Sequence, residues 1–224
     1  MTAGIPMRLT RRRALGLALA ATIMPSRVLG QAAGAWSLPI RVAGDVPGNG
    51  FTVRCGYASE NLGRHPGWWH TGENWHRAGD ADTAGAEVLA AAAGEVVYAD
   101  FDYPGRVIII RHAPDLYSMY GHLDYVLDVA VGQQVMAGQV IGRVLAGSGW
   151  ASANHLHFEI RAFFIEDAIN GTAPQHGVHC GCQCPPGPGY WPIGAEHPSQ
   201  LGWRNPMHEI HRRIGEMDPL PDVI

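Results

Sequence analysis

Residues 155–160 read His155-Leu-His-Phe-Glu-Ile160, with polar and apolar side chains in strict alternation. Side chains along an extended chain point alternately to its two faces. Leu156 and Phe158 therefore share one face, and His155 and His157 share the other. A period of two over six residues predicts a half-buried strand. The same texture extends outward through residues 86–162. Short runs such as Glu87-Val-Leu-Ala90, Glu95-Val-Val-Tyr98, Val107-Ile-Ile-Ile110, Leu116 to Tyr120 and Gln139-Val-Ile-Gly142 alternate with Gly85, Gly94, Pro104-Gly105, Gly132, Gly138 and Gly147 to Gly149. Strands this short and this closely spaced predict an all-β, compact antiparallel sheet structure. Helical periodicity is expected only near Pro206 to Ile214.

The 224 residues suffice for one large domain with extensions. Residues 1–32 read as an export signal. Thr10-Arg-Arg-Arg-Ala-Leu15 precedes the apolar run Ala14 to Met24, and small residues surround Gly30-Gln-Ala32. The run falls short of the ~20 apolar residues of a membrane span, and TRRRAL resembles a twin-arginine motif. An exported chain working in the periplasm or cell envelope is the expectation. Residues 33–64, rich in Gly and Pro, read as an irregular lead-in. Residues 163–224 read as a loop-rich insertion, with a closing segment and a short terminal helix.

The first 32 residues contain five of the 16 basic residues and no acid, which leaves 11 against 20 and a net charge of −9. That balance argues against nucleic acid as a partner, because its phosphates are held by cations. Cys55, Cys180, Cys182 and Cys184 would meet an oxidising compartment, where disulfides are expected. Cys55 is then the natural partner for one of the other three, since neighbours two apart bridge only with strain. Metal binding by His179-Cys-Gly-Cys-Gln-Cys184, with His176 or His179 helping, stays open beside it.

One buried neutral histidine is ordinary packing. Two on one strand face need partners, because both rings must be desolvated together. Candidates lie elsewhere in the chain. His122 stands in Tyr120-Gly-His-Leu123, and His70 opens His70-Thr-Gly-Glu-Asn-Trp75. If residues 70–76 are extended, His70, Asn74 and His76 share a face and Glu73 points away. Four histidines from separated segments suit a metal site assembled across a sheet. Trp68, Trp69 and Trp75 flank it as core or groove wall, while His65, His112, His197, His208 and His211 lack any matching spacing.

In order along the chain come HTGENW, AGAEVLAAAAGEVVYAD, RVIIIRH, YSMYGHL, VGQQVMAGQVIGRV and NHLHFEIR. This series resembles the lysostaphin-type (LytM-like) zinc endopeptidases over residues 65–162, and Asn205-Pro206 resembles that family's closing Asp-Pro. The resemblance implies a barrel-sandwich hybrid of antiparallel strands and hydrolysis of peptide cross-links in bacterial peptidoglycan. It implies zinc held by His70 and His157, with Asn74 in the third ligand position, usually Asp, and His122 and His155 as unligated catalytic residues. His76 is the alternative third ligand. A second reading is a silent relative that binds peptidoglycan or regulates a cell-wall amidase. A third makes the cysteine cluster the working part.

Overall fold

A computed structural model describes Met1, Ile169 and residues 35–61, 65–79, 81–101, 106–147, 154–166 and 195–214. Among the described residues the strands are β1 (Ile40–Arg41), β2 (Phe51–Cys55), β3 (Glu60–Asn61), β4 (His65–Trp69), β5 (Glu73–Arg77), β6 (Glu87–Leu89), β7 (Gly94–Phe101), β8 (Arg106–Ala113), β9 (Leu116–Leu123), β10 (Gln134–Val135), β11 (Val140–Arg143), β12 (Leu156–Arg161) and β13 (Trp203–Arg204). The helix α1 (Pro206–Ile214) follows a short 3-10 turn at Pro198–Gln200. The fold is all-β and antiparallel, as the alternation predicts.

The main sheet runs β10-β7-β8-β9-β12-β5-β2, with β13 added to β12. A smaller sheet, β1-β6-β11, stands beside it. The core fills one face of β12, where Leu156, Phe158 and Ile160 pack with Tyr120, Trp75, Ile108 and Ile110. Burying each such side chain contributes about 1.5–3 kcal/mol. The unbroken run Val107 to Ile110 is explained by burial on both sides. Ile108 and Ile110 enter this core, while Val107 and Ile109 join Met119 in a second cluster. Met119 pairs with Glu159, so this second cluster shares a face with the polar side of β12.

The lead-in is more ordered than its glycines predict. Phe51-Thr-Val-Arg-Cys55 forms β2 and pairs with β5, and Ile40 is fully buried. Cys55 carries a free thiol, so the expected bridge from it is not present. Its sulfur lies 3.5 Å from Nδ1 of His70. His176, His179, Cys180, Cys182, Cys184 and the N-terminal signal lie outside the described residues. Among those described, no helix is long and apolar enough to cross a membrane.

Candidate functional site

β12 and β5 run antiparallel with His157 opposite Asn74. Directly opposed residues point to the same face, so the imidazole and the amide meet. His70 reaches them differently from the period-two expectation, because it directly follows β4 and a bend at Gly72 separates it from β5, which begins at Glu73. Gly72 makes the approach possible. A Cβ there would collide with the Phe158 carbonyl oxygen, so only glycine lets this bend lie against β12.

Three atoms converge as a result. Nε2 of His70 lies 3.1 Å from Nδ1 of His157, and Oδ1 of Asn74 lies 3.0 Å from that same nitrogen. A tetrahedral ion with ligands at ~2.0–2.1 Å separates its donor atoms by about 3.3 Å, so the spacing suits one small cation. Among the described residues no group of three or more His, Cys, Asp or Glu side chains can hold a metal ion. The trio is two imidazoles and an amide.

The trio is held from behind. Nδ1 of His70 lies 3.1 Å from the Gly56 carbonyl oxygen. Burial, reinforced by the neighbouring His157, pushes the His70 pKa down to about 4, and the Gly56 contact only partly opposes this. Nε2 of His157 lies 3.0 Å from Oε1 of Glu159, which is fully buried. Burial alone would raise the Glu159 carboxyl, but the bond from His157, the charge of Arg161 and the bond from Thr71 hold it below its ordinary value. Glu159 was absent from the residues singled out by sequence. Its signal was present all the same, two positions beyond His157 in the same alternation.

His122 and His155 form a second group. Their ring centres lie 4.5 Å apart in a T-shaped arrangement, and His122 lies 6.2 Å from His157. His122 has φ of +62°, an uncommon conformation for a residue with a side chain. Its carbonyl accepts a 2.8 Å hydrogen bond from the N–H of Leu145, which ties down this turn of backbone. His76 stacks on His155 at 5.0 Å. It therefore stands with the second group, against His155.

Glu73 points away from the trio, as the alternation requires. Its Oε1 accepts from the N–H of Met207 at the start of α1, and its Oε2 accepts from the Trp75 indole N–H. Burial pushes its pKa up to about 7 against those two bonds. Trp75 is core, and Trp69 lies half-buried beside His197. His112 bonds to Ser118 and the Ala93 carbonyl, away from both groups.

Residues 74–173 match Peptidase family M23, the match opening at Asn74 itself. Lipoprotein NlpD of Yersinia enterocolitica is 42% identical over 83 residues, 36% of this chain and 82% of that protein. The chain belongs to the M23, LytM-like family. Murein hydrolase activator NlpD of Escherichia coli (strain K12) is 43% identical over 83 residues, 36% of this chain and 21% of that protein. The matched part thus spans about a fifth of that relative's length. The solution structure of lysostaphin aligns with a TM-score of 0.50 at 22% identity, over 78% of this chain and 58% of that one. It shows the same M23 fold.

Proposed function

We propose that this chain is an exported zinc peptidase of the cell envelope that hydrolyses peptide bonds in bacterial peptidoglycan. The observation that carries the reading is the convergence of His70, Asn74 and His157 beside a separate imidazole pair, His122 and His155. Family membership supports it. His70, Asn74 and His157 would hold the zinc. When bound, zinc lowers the pKa of water to roughly 7 and stabilises negative charge on a scissile carbonyl.

The chain's own residues do the remaining work. His155 takes the proton from the attacking water and returns it to the leaving amine, a task suited to imidazole. His76, stacked on its ring, limits how that ring can turn. His122 sits against His155 and donates to the oxygen on which charge develops. The strained backbone at His122 fits a residue held for function rather than for packing.

A second reading is favoured by two observations: an amide stands where the family carries Asp, and the E. coli relative is named a murein hydrolase activator. In that reading the chain binds peptidoglycan and stimulates a cell-wall amidase. The test measures zinc per purified chain and the release of soluble peptide from purified peptidoglycan, with and without chelator. One zinc and chelator-sensitive release are expected. No release, together with stimulation of an added amidase, would establish the second reading instead.

A further inference from the structure

We infer that Glu159 is the positioning residue that selects which nitrogen of His157 faces the trio, and that it supplies the negative charge the Asn74 position lacks. The inference deepens the zinc reading above and rests on it for its second half.

The Glu159 carboxylate is surrounded by donors. Oε1 accepts from Thr71 Oγ1 at 2.6 Å and faces Nε2 of His157 at 3.0 Å. Oε2 accepts from the Trp203 indole N–H at 2.8 Å and lies 3.6 Å from the Arg161 guanidinium. An ionised carboxylate only accepts hydrogen bonds. The proton between His157 and Glu159 therefore belongs to Nε2.

A neutral imidazole protonated at Nε2 carries its lone pair on Nδ1, the atom that faces His70 and Asn74. The opposite tautomer has its own attraction, because an Nδ1–H could donate to Oδ1 of Asn74 at 3.0 Å or to Nε2 of His70 at 3.1 Å, both neutral acceptors. Magnitude decides between them. A hydrogen bond to an ionised acceptor is roughly twice as strong as one between neutral groups. The bond to Glu159 wins, and the trio faces inward with acceptors.

Charge gives the second half. Two imidazoles and an amide bring no negative charge to a divalent ion. Glu159 stands one ring away and fully buried, its charge partly offset by Arg161 at 3.6 Å but little screened by water. An outer carboxylate behind a ligating histidine also raises that ligand's basicity. Here an anion stands behind His157, and a neutral amide, Asn74, stands in front of it. Trp203 and Thr71 keep the anion there, so β13 is coupled to the trio through a single carboxylate.

The test uses the full chain. Nitrogen NMR of the chelator-treated protein at neutral pH is expected to show His157 protonated at Nε2 and bare at Nδ1. A protonated Nδ1, or an averaged mixture, overturns the inference. Zinc affinity is then measured by competition with a chromogenic chelator for the wild type, E159Q and T71V. E159Q should weaken binding by about 10–100-fold, and T71V by less, since it keeps the charge. Both variants binding like the wild type would also overturn it. E159Q leaves the buried Arg161 beside a neutral amide, so its fold is checked by circular dichroism. T71V leaves both charges in place and keeps the test alive if E159Q does not fold. A wild type that binds no zinc refutes the zinc reading alone, and the His157 tautomer then decides for or against Glu159.

Discussion

Asn74 departs from the Asp that the family resemblance implies at its position, and on the zinc reading the departure is one of charge. Its amide oxygen lies 3.0 Å from Nδ1 of His157, but it offers a neutral donor. Asn74→Asp should tighten zinc binding by about tenfold or more, given that even outer contacts to a metal change affinity by about 10–100-fold. Competition with a chromogenic chelator measures this, and an unchanged affinity would remove residue 74 from the ligand set. His155 is predicted to behave in the opposite way. It touches His122 and His76 but has no place among the three convergent atoms. His155→Ala should keep its zinc and lose peptide release by about 10²–10⁴-fold, the usual contribution of a general base. Zinc lost together with activity would put residue 155 among the ligands. His112 makes a third case, remote from both groups. Burial, with a smaller push from Arg213, lowers its pKa to about 4 from the ordinary 6.5. Below 6.5 the unfolded chain takes up a proton that the folded chain refuses. Stability is therefore lost as pH falls from 6.5 towards about 4. In His112→Gln that part of the decline should vanish, as urea unfolding across this pH range would reveal.

At the scale of elements, the site is made by two strands in register and one glycine. His157 faces Asn74 because β12 and β5 pair there, and His70 arrives because Gly72 lies flat against Phe158. Gly72→Ala places a methyl group where the backbone of β12 already stands, and neither strand can yield without moving a donor atom. It should cost about 1–3 kcal/mol, the usual range for overpacking, and weaken zinc binding along with it. Thermal melting and chelator competition on the same sample test this, and loss of stability with intact affinity would show that His70 is placed by something else. The same elements show what could be read from sequence. The runs at 87–90, 95–98, 107–110, 116–120, 139–142 and 155–160 are strands, since their alternation or β-branched content carries a direct geometric meaning. Parity gave the faces of Asn74 and His157 within their own strands, but only the family resemblance implied that the two meet, because strand pairing is a long-range contact. The entry of His70 was not, because it depends on a bend and a close backbone approach rather than on a period. β2 was hidden for a related reason. Phe51 to Cys55 is a short edge strand with alternate residues exposed, and glycines surround it.

At the scale of the whole molecule, the question is how much chain the sheet needs. The resemblance visible in sequence covers residues 65–162, and the pieces outside it look dispensable by composition. The packing argues otherwise. Ile40 and Ile210 are fully buried and Trp203 is 1% exposed, and all three lie beyond that span. Ile40 comes from β1, Trp203 from β13 and Ile210 from α1. Each fully buried large side chain contributes about 1.5–3 kcal/mol, against a whole-domain stability of about 5–15 kcal/mol. Removing all three consumes most of that margin before any strand pairing is counted. The cut would also delete β2, which covers the open edge of β5, and an uncovered edge invites pairing between molecules. It would leave Glu73 without the Met207 N–H and Glu159 without the Trp203 indole, exposing two carboxylates in the heart of the sheet to loss of their donors. A fragment of residues 65–162 should therefore fail to melt cooperatively and should aggregate, whereas residues 33–214 should melt in one transition. Circular dichroism and light scattering on the two lengths decide it. A cooperative, monomeric 65–162 would mean that β12 and β5 hold His70, Asn74 and His157 together without help from either end of the chain.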